Sequence, residues 1–182
     1  MKRLIFCLFL LAACKEEAAT SLPVAMTVDS TDYFCQMDIL EHPGPKAQIH
    51  LANYPGAPLF FSQVRDAVAY LRMPEQADTI TATYVSDMGA AVSWADPGAT
   101  NWIAADEAVY VVGSSAKGGM DAPEFVPFSD PAKAQAFAAQ NGGQVMPLAL
   151  IPQTAVATSP ALDTSDTDFS ARLRELSAPT GD

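Results

Sequence analysis

Cys35 and Met37 stand two residues apart in "DYFCQMDI", and their types and spacing can do chemistry. In an extended segment, side chains at i and i+2 point the same way. The spacing therefore predicts a thiol and a thioether converging on one point, with Gln36 facing away. A thiolate beside a thioether is a soft donor pair, and soft donors select Cu(I) over harder cations. Zinc would want four ligands, usually several Cys or His, and the only histidines are His42 and His50. No run of acidic and amide residues has the spacing of a calcium or magnesium loop.

A third donor has to come from a distant segment. Met73 ends a helical pattern and Met146 lies in a strand pattern, so both are expected in the core. Met26 falls in a polar stretch, and Met88, in "SDMGAA", falls at a turn. Met120, in "KGGMDAPEF", follows two glycines in a polar loop, where packing gives little reason for a methionine. Met120 therefore has the least packing reason to be where it is and is a candidate third donor, with Met88 and His42 as further candidates. A second use of Cys35 is as a nucleophile, which needs a base or a depressed pKa. His42, in "EHPGP", has no evident orienting partner, and there is no C-x-x-C for redox cycling. No enzyme activity is expected. A third reading is an envelope scaffold in which Cys35→Ser changes nothing.

The other two cysteines are accounted for at the N-terminus. "MKRLIFCLFLLAACKEE" has a basic start at Lys2 and Arg3, an apolar run from Leu4 to Leu11 and small residues before Cys14. Residues 1–13 read as a secretory signal, too short to span a bilayer. "LAAC" resembles a bacterial lipobox, which implies cleavage before Cys14 and lipid on that residue, a tether and not a span. Cys7 leaves with the signal, so Cys35 has no disulfide partner within the chain. The composition is acidic, with 21 Asp plus Glu against 10 Lys plus Arg. This argues against nucleic acid and against an electrostatic grip on anionic lipid, and favours a cation or a basic partner.

The elements that must hold these donors are mostly short strands. Residues 14–31 read as a flexible tether, and residues 151–182 as a mostly disordered tail with one marginal helix carrying Phe169, Leu173 and Leu176. Between them, "AQIHLANY", "PLFF", "DTITATYV", "AAVSW", "EAVYVVG", "EFVPF" and "QVMPLAL" carry strand signals. "SQVRDAVAYLRM" and "SDPAKAQAFAAQNGG" read as helices. Ser62 is the expected N-cap of the first, and Ser129 or Asp130 of the second. The order strand, Phe-Ser, helix, strand occurs twice. It predicts an α+β domain over residues 32–150, made of two ββαβ-like halves with antiparallel sheets, about 32–87 and 88–150.

The lipobox, the C-x-M at residues 35–37, "PLFFSQVRDAVAYLR", the glycine-rich loop with Met120 and "FSDPAKAQAFAAQNGGQV" occur here in one sequence. Together they resemble the NosL family of nitrous oxide reductase accessory lipoproteins, over about residues 33 to 147. The resemblance implies a periplasmic, membrane-tethered Cu(I) chaperone that feeds nitrous oxide reductase during assembly of its copper centre. It implies Cys35, Met37 and Met120 as the metal ligands, and a fold like that of organomercurial lyase. Family members often carry an earlier cysteine where this chain has Asp32, and glycine where it has Gln36. The form expected is a monomer or, since two Cys35 thiolates could bridge one ion, a copper-bridged dimer, held to a bacterial membrane through Cys14 and without nucleic acid as a partner.

Overall fold

The computed structural model describes residues 21–156. The signal sequence, Cys14 and the expected helix around Phe169, Leu173 and Leu176 lie outside the described residues. Among the described residues no helix is long and apolar enough to cross a membrane.

The first half runs β1 (Ala47–Leu51), β2 (Leu59–Phe61), α1 (Val64–Leu71), β3 (Ile80–Ser86) and β4 (Trp102–Ala104). The second runs β5 (Val109–Val112), β6 (Val126–Phe128), α2 (Pro131–Asn141) and β7 (Gln144–Pro147), followed by α3 (Gln153–Val156). The sheets have strand orders β2-β1-β3-β4 and β6-β5-β7, and every pair is antiparallel. In each half the first strand lies central, flanked by the second strand and by the strand that follows the helix. This is the expected ββαβ duplication in an α+β fold. The two halves share one core, in which Ile49, Phe61, Val64 and Val85 of the first meet Ala108, Tyr110, Val112 and Phe125 of the second.

β1 reads imperfectly as a strand because all five of its residues are buried. Ala47, Ile49 and Leu51 join the shared core. Gln48 and His50 face the other way and are covered as well. Gln48 Oε1 accepts from Val24 N–H at 2.8 Å, its amide donates to Val24 O at 3.0 Å, and His50 Nε2 lies 2.8 Å from Gln48 Oε1. The covering segment belongs to the stretch expected as a flexible tether. Met26 is buried beside Ile39 and Phe60, and Tyr84 Oη donates to Ser21 O. Residues 21–31 are therefore part of the fold, because Gln48 and His50 need polar partners once they are out of water.

Other expectations are corrected in detail. "AAVSW" is a loop in which Val92 is exposed, while Trp94 stacks on Phe137. β4, in "NWIAA", was not expected; three residues carry too little pattern, and pairing with β3 decides them. Because β4 joins the first sheet, the break between sheets falls after Ala104 and not at residue 87. Residues 151–156, assigned to the tail, pack Ile151 and Val156 into the shared core. Met73, expected inside, is exposed. Met146 packs against the core.

α2 begins and ends as its residues dictate. Asp130 accepts from Ala132 N–H at 2.8 Å, Pro131 fills the first turn and Gly142 stops the helix at φ 74°. The start of α1 departs from expectation. Its N-cap is Gln63, without a side-chain cap bond, and not Ser62. The partner comes from the other half of the molecule, where buried Glu124 accepts from Arg65 N–H at 3.0 Å.

Candidate metal centre

Residues 30–39 fold back on themselves next to β2. Ile39 N–H donates to Ser30 O and Asp32 N–H to Met37 O, closing a loop with Cys35 inside it and Met37 at its closing bond. Tyr33 N–H donates to Phe60 O, which moors the loop to the edge of β2. The expected extended geometry is thereby corrected. Cys35 and Met37 sit in a tight turn, and Gln36 adopts a left-handed φ of 60°. The turn forms because Asp32 Oδ1 accepts from both Phe34 N–H and Cys35 N–H at 2.8 Å, an arrangement short acidic side chains favour. The Gln36 amide adds a bond to Tyr33 O at 2.7 Å, which helps offset its strained backbone. Aspartate three residues before the cysteine was the available sequence signal.

Asp32 is almost fully buried. Burial pushes its pKa up, but the N–H groups of Cys35, Ser62 and Phe34 outweigh this, so the carboxyl lies below its ordinary value. For Cys35, burial first and the Asp32 charge after it push the thiol above its ordinary value. Cys35 is half-buried, and Met37 is 51% exposed.

The second loop spans Gly118 to Asp121. Gly118 N–H donates to Ala122 O and Asp121 N–H to Gly118 O, and Asp121 is also left-handed, with φ 57°. Met120 is 48% exposed, and its N–H donates to Gln63 Oε1 at 2.8 Å. Both glycines are required by close approach. A Cβ on Gly118 would strike Glu124 Oε2 and lie 2.8 Å from Gln63 Cγ, and one on Gly119 would lie 2.5 Å from His42 Cβ. His42, after the Cys35 loop, also places Nδ1 3.3 Å from Gly119 O. Its Nε2 is buried without a hydrogen-bond partner.

Cys35 and Met37 thus sit on one loop and Met120 on another; adjacent residues Ser62 and Gln63 bond to Asp32 of the first and Met120 of the second, and His42 lies against Gly119 of the second. Met88 is not among them, since it packs into the second hydrophobic cluster near Phe128. Among the described residues no group of three or more His, Cys, Asp or Glu side chains is placed to hold a metal ion. The donors on offer are therefore one thiol, two exposed thioethers and one imidazole, a set suited to a soft monovalent cation. Sequence reasoning missed Asp32 and Gln63, which bond to these loops, and Glu124, which serves the start of α1 beside them.

Similarity to known proteins identifies the family. The NosL family model matches residues 23–156. The chain is 54% identical over 180 residues to the copper-binding lipoprotein NosL of Achromobacter cycloclastes, covering 96% of this chain and 93% of that one. It is 36% identical over 133 residues to the copper-binding lipoprotein NosL of Stutzerimonas stutzeri, covering 72% and 67%. The crystal structure of the copper chaperone NosL from Shewanella denitrificans superposes with a TM-score of 0.68 at 31% identity, over 74% of this chain and 98% of that one. The family match, the identities and the shared fold together make this chain a member of the NosL family.

Proposed function

We propose that this chain is a periplasmic, lipid-anchored Cu(I) chaperone, with Cys35, Met37 and Met120 as its ligands. It delivers copper to nitrous oxide reductase while that enzyme's copper centre is assembled, and lipid on Cys14 keeps it at a bacterial membrane. The observation that supports the reading is that two loops, one bearing Cys35 and Met37 and the other Met120, are tied to adjacent residues, Ser62 and Gln63, with both thioethers open to solvent. Relatives named copper-binding lipoprotein support copper as the cargo. One thiolate and two thioethers form a neutral Cu(I) complex, and exposed donors let an incoming ligand replace them one at a time. Loading releases the Cys35 proton, because the bound form is the thiolate.

A nucleophilic Cys35 has less support. Its thiol is pushed above its ordinary value, and His42 turns Nδ1 toward Gly119 O.

The test is an anaerobic Cu(I) titration of the full chain in detergent against a chromophoric chelator. One-to-one binding that is abolished by Cys35→Ser and weakened by Met37→Leu and Met120→Leu is the expected result. Failure of the wild-type chain to compete with the chelator would sink the copper reading. Loss with Cys35→Ser alone would move the missing donor to His42.

A further inference from the structure

The junction between β2 and α1 reaches both metal-bearing loops through consecutive residues. Ser62 and Gln63 are each 1% exposed. Ser62 N–H donates to Asp32 Oδ2 at 2.6 Å, and the other oxygen of that carboxylate holds Cys35 N–H. Gln63 Oε1 accepts from Met120 N–H at 2.8 Å, while its amide nitrogen lies 3.4 Å from Asp66 Oδ2. The first loop comes from the chain before β1 and the second from the chain between β5 and β6. Adjacent residues of the β2–α1 junction therefore fix the position of one loop against the other.

Gln63 also breaks a local rule. It occupies the N-cap of α1, where a side-chain oxygen ordinarily serves the helix's own N–H groups, yet it makes no cap bond. Its oxygen goes to Met120, and Glu124 serves the helix instead. The fit is close on the other side too, since Gly118 leaves no room for a Cβ above the Gln63 side chain.

We propose that Gln63 is a positioning residue for copper binding: by holding Met120 N–H it keeps that thioether within reach of the Cys35 turn. The proposal rests on the ligand set given above. Gln63 touches no metal. Without it the Met120 loop loses its buried anchor, and the ion keeps Cys35 and Met37 as its only sulfur donors.

The test compares Gln63→Leu, Met120→Leu and the double variant in the full chain, with thermal unfolding to verify folding. Gln63→Leu is expected to weaken Cu(I) binding about tenfold, as loss of a buried hydrogen bond can, and to lower the sulfur count in copper K-edge X-ray absorption from three to two. In the Met120→Leu background the same change is expected to have less than about a twofold effect, which a general loss of stability would not produce. Gly118→Ala, whose Cβ crowds the Gln63 side chain while Gln63 itself is kept, provides a second route to the same loss, and because that Cβ also meets Glu124, the acceptor at the start of α1, its helix content and thermal unfolding are compared with wild type. Additive effects, or three sulfurs retained in both Gln63→Leu and Gly118→Ala, would overturn the positioning role and leave the ligand set intact. A wild-type site with two sulfurs, insensitive to Met120→Leu, would overturn the ligand set and the positioning role with it.

Discussion

Asp32 decides the shape of the Cys35 turn. It offers two oxygens to three backbone N–H groups, those of Phe34, Cys35 and Ser62. Asp32→Ala would leave these donors without that acceptor in a buried setting. We expect a cost of about 3 kcal/mol in urea unfolding and a weaker Cu(I) site. Asp32→Asn keeps an acceptor and is expected to cost less. Gln36 gives a second prediction at this scale. Its left-handed backbone is costly for any residue with a Cβ, so Gln36→Ala loses the side-chain bonds and keeps the strain. Gln36→Gly loses the same bonds and relieves it, and should be more stable than Gln36→Ala by about 1 kcal/mol. The identity of the sulfur residues was legible in the sequence, because Cys, Met and their spacing speak directly of soft donors. The turn was not, because i and i+2 converge only in a strand, and here an aspartate overrides the strand.

At the scale of elements, α1 shows how one half of the molecule completes the other. Its first turn is served by Glu124, whose Oε1 accepts from Arg65 N–H and from Phe125 N–H. Burial pushes the Glu124 pKa up to about 8, with Asp66 raising it further and the two N–H groups and Lys46 opposing. The folded value exceeds the model-peptide value of 4.5. Its contribution to stability is therefore full below pH 4.5 and lost as pH rises toward 8, at about 1.4 kcal/mol per pH unit. Glu124→Gln keeps the acceptor without the proton. The stability difference between wild type and Glu124→Gln, from urea unfolding at pH 5 and pH 8, should shift toward the variant at the higher pH. Lys46 and Asp66, the charged groups facing Glu124, are common to both proteins. Strand and helix order was legible, since both halves repeat one pattern of apolar runs. The α1 cap was not, because its partner lies 59 residues away and nothing local to Ser62 or Gln63 announces it.

The whole molecule depends on segments the sequence assigns to its margins. Residues 21–31 cover Gln48 and His50, and residues 151–156 close the other side of the core. Polar, aperiodic stretches carry no pattern of their own, so their place is set by what they cover, and composition cannot show that. Met26 and Val156 are each buried, and Met26→Ala should cost about 2–4 kcal/mol in urea unfolding although it lies before the first strand. A change of about 0.5 kcal/mol or less would mean that the segment is not held.

The same covering segment sets the length of the leash. Ser21 is already fixed at Thr81 and Tyr84. With the lipid proposed on Cys14, only residues 15–20 would lie between the anchor and the folded body. Six residues at full stretch reach about 20 Å, less than the diameter of roughly 35 Å that a compact domain of this size has. A carrier tethered in that way would hand copper over close to the bilayer, and its recipient would have to come to the membrane to collect it.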